Sequence, residues 1–173
     1  MKPENETVVL VAGLLVANMG VPKETVYVYN AKWKIPATEG LFISVGLIGW
    51  KPYGSSIGFA NGAQAGEPAL IEQQSMNVQE ILTVTLFSRN SEARMAMPSL
   101  LFALNSTQAQ QLQEQQAMKF GRLPLTFVDI SETEASARLN KFSYTFNVLR
   151  SYSRDRVVEY FDQFPTPELL INQ

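Results

Sequence analysis

Two residue types are missing altogether from this 173-residue chain, cysteine and histidine. Without cysteine there is no disulfide, no thiolate nucleophile and no thiolate-bound metal, and any redox compartment is compatible. Without histidine the commonest metal ligand and the commonest general base at neutral pH are gone. A hydroxyl nucleophile would then need lysine as its base. None of Lys2, Lys23, Lys32, Lys34, Lys51, Lys119 and Lys141 stands in an S-x-x-K pattern. Charge is also scarce, at 17% of residues against about 25% in ordinary soluble domains. The net charge of −2 argues against a general nucleic-acid binder, which is normally basic. A chain that spends little surface on charge has that surface covered by something else, and subunit contacts are one such cover.

Long apolar runs are lacking too. The stretch from Val8 to Val16 is too short to span a bilayer. Glu4 and Glu6 against Lys2 do not make the basic leader of a signal peptide. It reads instead as a buried helix over 7–19, capped by Asn5 or Thr7 and stopped by Gly20. No phosphate-binding loop is present: the Gly-rich stretch 54–66 lacks a G-K-[ST] ending, and no G-x-G-x-x-G occurs.

What is present is sheet. Val26 and Val28 alternate with Tyr27 and Tyr29 in a strand over 24–30. The segment 40–50, GLFISVGLIGW, is apolar at successive positions and predicts a central strand covered on both sides. Gly46 and Gly49 mark a bulge or a close backbone approach. The stretch 50–70 is rich in Gly, Ser and Ala around an Asn-Gly turn signal at 61–62. It predicts a protruding hairpin or loop, either an assembly arm or a disordered surface loop. A further strand runs from Ile71 to Ser88.

Asn90 or Ser91 caps a helix whose apolar face carries Ala93, Ala96, Met97, Leu100, Leu101 and Leu104. Pro98 kinks that helix or marks its true start. Thr107 and Gln110 match a capping box for a Gln-rich helix ending at Gly121. That helix is either solvated or laid against a neighbouring subunit. A short strand over 123–130 follows, with Glu132 and Glu134 in a loop.

The last strand holds Phe142, Tyr144, Phe146 and Val148 on one face and Lys141, Ser143, Thr145 and Asn147 on the other. Its extended character continues through Val157, Val158, Tyr160 and Phe161, well beyond the usual strand of about 5–6 residues. Residues 140–150 are expected to pack within the protomer, and 153–164 at or near an assembly contact. Prolines in 165–173 argue for a tail. The whole reads as one α+β domain over 1–173: a mostly antiparallel sheet with helices packed on one face.

Two chemical readings compete with a purely structural one. Asp129, Glu132 and Glu134 are the densest acidic group, either an oxygen-only metal site for hydrolysis or a solvated acidic loop. Arg138, Arg150, Arg154 and Arg156 share strand parity, either as a DNA-facing stripe or as a mixed-charge edge with Asp155, Glu159 and Asp162.

The order of segments carries a resemblance. VQEILTVTLFSRN leads to the helices EARMAMPSLLFALNS and TQAQQLQEQQAMKFG, then to GRLPLTFVDIS and ARLNKFSYTFNVLRSYSR. Over residues 75–162, about half the chain, this resembles the neck or tail terminator family of tailed bacteriophages. The resemblance implies a virion protein of the neck or upper tail, assembled in the host cytoplasm. It implies a ring of copies, typically a hexamer, around the DNA channel. The partners would be neck, tail-tube, sheath or connector proteins, with non-specific proximity to packaged DNA and no membrane. It implies no enzymatic site, cofactor or metal. Another head–tail connector or tail subunit is the alternative. On this reading Trp50, Tyr53, Phe59, Val157, Val158, Tyr160 and Phe161 are candidate assembly contacts, and Arg150, Arg154 and Arg156 are candidate channel or DNA-facing residues. The long 50–70 segment departs from a minimal terminator.

Overall fold

The computed structural model describes residues 6–28, 38–64, 67–134 and 137–158. Tyr160, Phe161 and the tail from 165 lie outside the described residues, as does Asn5. Helix α1 (Thr7–Met19) leads through a 3-10 turn to strand β1 (Val26–Val28). Strands β2 (Phe42–Gln64) and β3 (Glu67–Ser88) follow. Helices α2 (Glu92–Met95), α3 (Met97–Leu104) and α4 (Thr107–Gln115) come next. Short strands β4 (Met118–Phe120), β5 (Val128–Asp129) and β6 (Glu132–Glu134) lead to the long β7 (Ala137–Val158).

The fold is α+β. The sheet order is β1-β2-β3-β7-β4, with β5 and β6 also pairing with β7. All pairings are antiparallel except β1 with β2. The register aligns Ile43, Leu86 and Phe142, then Val45, Val84 and Tyr144, then Leu47, Leu82 and Phe146. These rows share one face because alternate residues of a strand point the same way. They form one buried cluster with Val8, Val11 and Leu15 of α1 and Leu100, Ala103 and Leu104 of α3. The helices therefore cover one face of the sheet. Phe120 meets Phe146 edge-on, with ring centroids 5.5 Å apart. The Tyr144 hydroxyl, fully buried, donates to the Pro124 carbonyl at 2.8 Å.

Several local expectations shift. The N-cap of α1 is Glu6, without a side-chain cap bond, and Thr7 is the first helical residue. Gly20 ends the helix at φ 64°, a left-handed conformation that glycine adopts without a Cβ penalty. Of the first predicted strand, 26–28 are β and follow the turn Lys23–Thr25, while 29–30 lie outside the described residues. At α2, Asn90 Oδ1 and Ser88 Oγ accept from the Glu92 and Ala93 amides, both at 2.9 Å. Pro98 sits in the first turn of α3, where its missing N–H costs nothing, so the helical pattern divides there. The cap of α4 is Ser106, which accepts from the Ala109 amide, rather than Thr107. That helix ends at Gln115 and not at Gly121. Ala117 takes φ 47° to reverse the chain into β4, which must reach β7. Of 123–130 only Val128–Asp129 pairs as strand, and Glu132 and Glu134 lie in β6 rather than a loop.

The largest correction concerns 40–50. Ile43 and Val45 are core, but Ile48 and Trp50 are 62% and 50% exposed. Phe42, on the face away from the helices, is buried beside Phe87, so cover on both faces holds at the start of the strand; it is lost by Ile48 and Trp50 as β2 passes beyond the helices. A register shift between Leu47 and Gly49 marks the point of departure. A Cβ on Gly49 would lie 2.9 Å from the end of Ile81, so this glycine permits a close approach, whereas Gly46 has ordinary room.

Stability is expected to divide along the strands. Phe146→Ala should cost about 3–5 kcal/mol by opening a core cavity. Phe59→Ala, at a 64% exposed position, should change stability by no more than about 0.5 kcal/mol. Urea unfolding followed by tryptophan fluorescence and circular dichroism checks both.

Candidate assembly arm

Beyond the helix layer, β2, β3 and the end of β7 continue as a three-stranded ribbon. Residues 51–59 of β2 are all exposed. From Trp50 to Gln64 the ribbon extends about 50 Å at the usual rise per strand residue. The segment 50–70 is therefore β-structured over its described residues, 50–64 and 67–70, the hairpin form of the expectation. The Asn61-Gly62 pair lies within β2, opposite Leu70 and Ala69, and is not the turn.

On the helix side, the ribbon's cross-strand rows are Ser55, Met76 and Tyr152; Ile57, Gln74 and Arg154; and Phe59, Glu72 and Arg156. Trp50, Ile57, Met76, Tyr152 and Arg154 line a shallow groove of about 480 Å³ there. The opposite side carries Gly54, Asn77 and Ser151, then Ser56, Ser75 and Ser153. Ser56 and Ser75 hydroxyls bond at 2.7 Å. Asp155 stands in the next row on that side, with Gly58 and Gln73. The helix side is thus aromatic with two arginines and, opposite Arg156, Glu72, and the other side is hydroxyl-rich.

The root of the ribbon is polar and buried. Glu80 shares parity with Leu82, Val84 and Leu86, so it points into the helix side, and it is only 4% exposed. The Tyr152 hydroxyl donates to Glu80 Oε1. Glu80 Oε2 is buried with no hydrogen-bond partner among the described residues. The Arg150 guanidinium lies 5.3 Å over the Tyr152 ring and donates to Thr7 Oγ1 at 3.1 Å. Helix α1 is thereby tied to the point where the sheet leaves the core. Burial, reinforced by the bond to and charge of Glu80, pushes the Tyr152 hydroxyl up to about 12, with Arg150 opposing. Burial alone pushes Tyr144 up to about 12. Glu80 and Tyr152 were not singled out from sequence, although parity with the neighbouring apolar residues marks both as core-facing.

The candidate residues separate into distinct places. Trp50 and Phe59 lie on the helix side of the ribbon with Arg154 and Arg156, whereas Tyr53 lies at a second register shift, between Pro52 and Gly54. Val157 is exposed on the other side, and Val158 is half-buried. Arg138 shares the strand parity of Arg150 but stands twelve positions away, about 40 Å along the strand, so the four arginines make no continuous stripe. Arg150 belongs to the root.

The acidic residues do not converge either. Asp129 Oδ1 accepts from the Ser131 amide at 2.9 Å, and hydrogen bonding from Ser131 holds its carboxyl below the usual value. Glu132 pairs with Lys141. The Glu134 side chain lies outside what the structure describes. Among the described residues, no three acidic side chains group as metal ligands.

The Gln-rich helix α4 is partly satisfied within the protomer. Gln108 Oε1 accepts from Asn18 at 2.9 Å, and Gln113 Oε1 accepts from the Phe120 amide at 2.7 Å. Gln111 and Gln115 border a surface groove against Val9 and Gly13 of α1. No described helix is long and apolar enough to cross a membrane. No protein-family model matches the chain, and no curated protein matches it.

The two raised tyrosines give a pH dependence with a definite sign. Unfolded tyrosine ionises near pH 10, while the folded hydroxyls hold their protons to about 12. Their contribution is fully present below pH 10 and is lost as pH rises toward 12. Tyr152→Phe should make urea-unfolding stability fall less steeply between pH 10 and 12 than in the unsubstituted protein.

Proposed function

We propose that this chain is a structural virion protein, a ring-forming subunit of the tail terminator or neck of a tailed bacteriophage. In that role it closes the tail and joins it to the head around the DNA channel. The observation that carries the reading is the ribbon. Three strands run far past the core they help build, with aromatic residues exposed and, among the described residues, no strand paired to their outer edges there. Such edges and apolar patches are what proteins blunt or cover unless a partner completes them. The resemblance of residues 75–162 to the terminator family supplies the setting.

A ring subunit needs contacts that differ on its two sides and close by rotation. The protomer offers different surfaces for this. Besides the ribbon, Phe102, Leu125 and Val128 are exposed on α3 and on the segment leading into β5. No nucleophile, base or metal is required by the role.

Negative-stain electron microscopy and native mass spectrometry of the purified protein provide the test. Rings with a central channel, alone or on added tail tubes, are expected, typically of six copies. A protein that stays monomeric at high concentration and forms no ring on tail tubes overturns the reading.

A further inference from the structure

Resting on the ring reading, we infer that neighbouring copies join edge to edge through their arms, with β7 of one copy pairing alongside β2 of the next. Among the described residues, β2 is paired on its outer side only from Ile43 to Val45. The outer side of β7 is paired in three short pieces that end at Arg150. Beyond these points both edges present backbone donors and acceptors without a strand partner among the described residues. Such edges template pairing with another chain.

Three joints are open to two such arms, β2 with β2, β7 with β7, or β7 with β2. Direction separates them. Both β2 and β7 run antiparallel to β3, so they run parallel to each other. A neighbour produced by rotation about an axis along the arm sets its β2 beside this β7, running parallel. That operation is head-to-tail and closes into a ring. Pairing like with like needs a two-fold operation and ends at a dimer, with the remaining edges still bare.

Charge separates them further. The exposed end of β7 carries Arg154 and Arg156 on the helix side. Antiparallel β7–β7 pairing would bring these arginines against their own copies, and like charges across a pair are destabilising. From Pro52 to Gly62, β2 carries no charge and presents Ile57 and Phe59 on that same side. In the β7–β2 joint the arginines lie beside an aromatic and aliphatic row, where a guanidinium over a ring is favourable. The helix layer occupies this side as well, and it fits the wider outer circumference of a ring. The hydroxyl row Ser56, Ser75 and Ser153, with Asp155 in the next row, then turns toward the axis, a hydroxyl and acidic lining that gives DNA little to hold.

The absence of cysteine makes the joint directly testable. Adjacent strands lie about 4.8 Å apart, within the Cα range of about 4.4–6.8 Å that a disulfide spans. Single variants S56C, G58C and A60C on β2 are each mixed with S151C or S153C on β7 and oxidised. Covalent dimers are expected from mixed pairs in at least one register. The matching double variant should give a ladder ending at the ring number. R154E/R156E should raise the concentration for half-assembly several-fold while circular dichroism melting is unchanged. Rings by electron microscopy with no cross-link in any register overturn this joint and leave the ring reading standing. S153C linking to itself as efficiently as to the β2 variants overturns it in favour of a two-fold contact. Unchanged assembly of R154E/R156E overturns the role given to the arginines. A protein with neither ring nor cross-link removes both readings.

Discussion

The structure turns on a mismatch of length between sheet and helices. The longest helix among the described residues has 13 residues, about 20 Å at the helical rise. The strands β3 and β7 have 22 each, about 70–75 Å in extended form. Helices on one face can dry only a fraction of such a sheet. Where they stop, the buried aromatic and aliphatic rows give way to mixed rows of serine, isoleucine, phenylalanine and arginine. The fold thus has a core that looks after itself and a ribbon stabilised mainly by its own cross-strand bonds.

The transition between the two is not left to the backbone. Glu80 is buried in the same row as Val148 and Phe120, one row inside Val78 and Met118 at the edge of the core, and is held by Tyr152. Arg150 stacks on that tyrosine and reaches Thr7 at the start of α1. Polar groups taken out of water are costly unless bonded, so this set constrains where the ribbon leaves the core. Gly49 and the register shift at 47–49 act at the same level of the sheet, where backbone and Ile81 come close. A defined exit is what an element needs if its far end must meet a neighbour in register.

Much of the core was legible from alternation alone. Phe142, Tyr144, Phe146 and Val148 could be placed on one face because polar residues occupy every intervening position, and the structure buries them. Leu82, Val84 and Leu86 alternate with Thr83 and Thr85 in the same manner, and they are buried. The apolar run at 40–50 misled, because period-two logic cannot tell a strand covered on both faces from one that outruns its cover. Helix ends misled where tertiary pairing decided them. Gly121 looked like the stop of α4, but pairing of Met118–Phe120 with β7 ends the helix six residues earlier. The candidate assembly residues came from aromatics in the Gly-rich 50–70 segment and from the apolar end of a last strand longer than its core requires. Their distribution over the two ribbon faces became visible only once strand register was known.

The order of the strands in the chain has a consequence for biosynthesis. β3 is the middle strand of the ribbon, yet its second partner is the last of the described strands to be made. Ser88 pairs with Asn140, and Leu70 with Val158. On the ribosome, the β2–β3 hairpin can zip as a local unit soon after it emerges. Its inner edge then waits while the helical segment and β4 to β6 are translated. During that interval β3 is itself an open edge, carrying Glu72, Gln73, Gln74, Asn77 and Gln79 along its exposed length. Amides and a carboxylate there keep the nascent hairpin soluble but do not prevent a stray strand from docking. The last strand must therefore arrive in time to claim its place in the middle of a sheet that neighbouring nascent copies could otherwise complete.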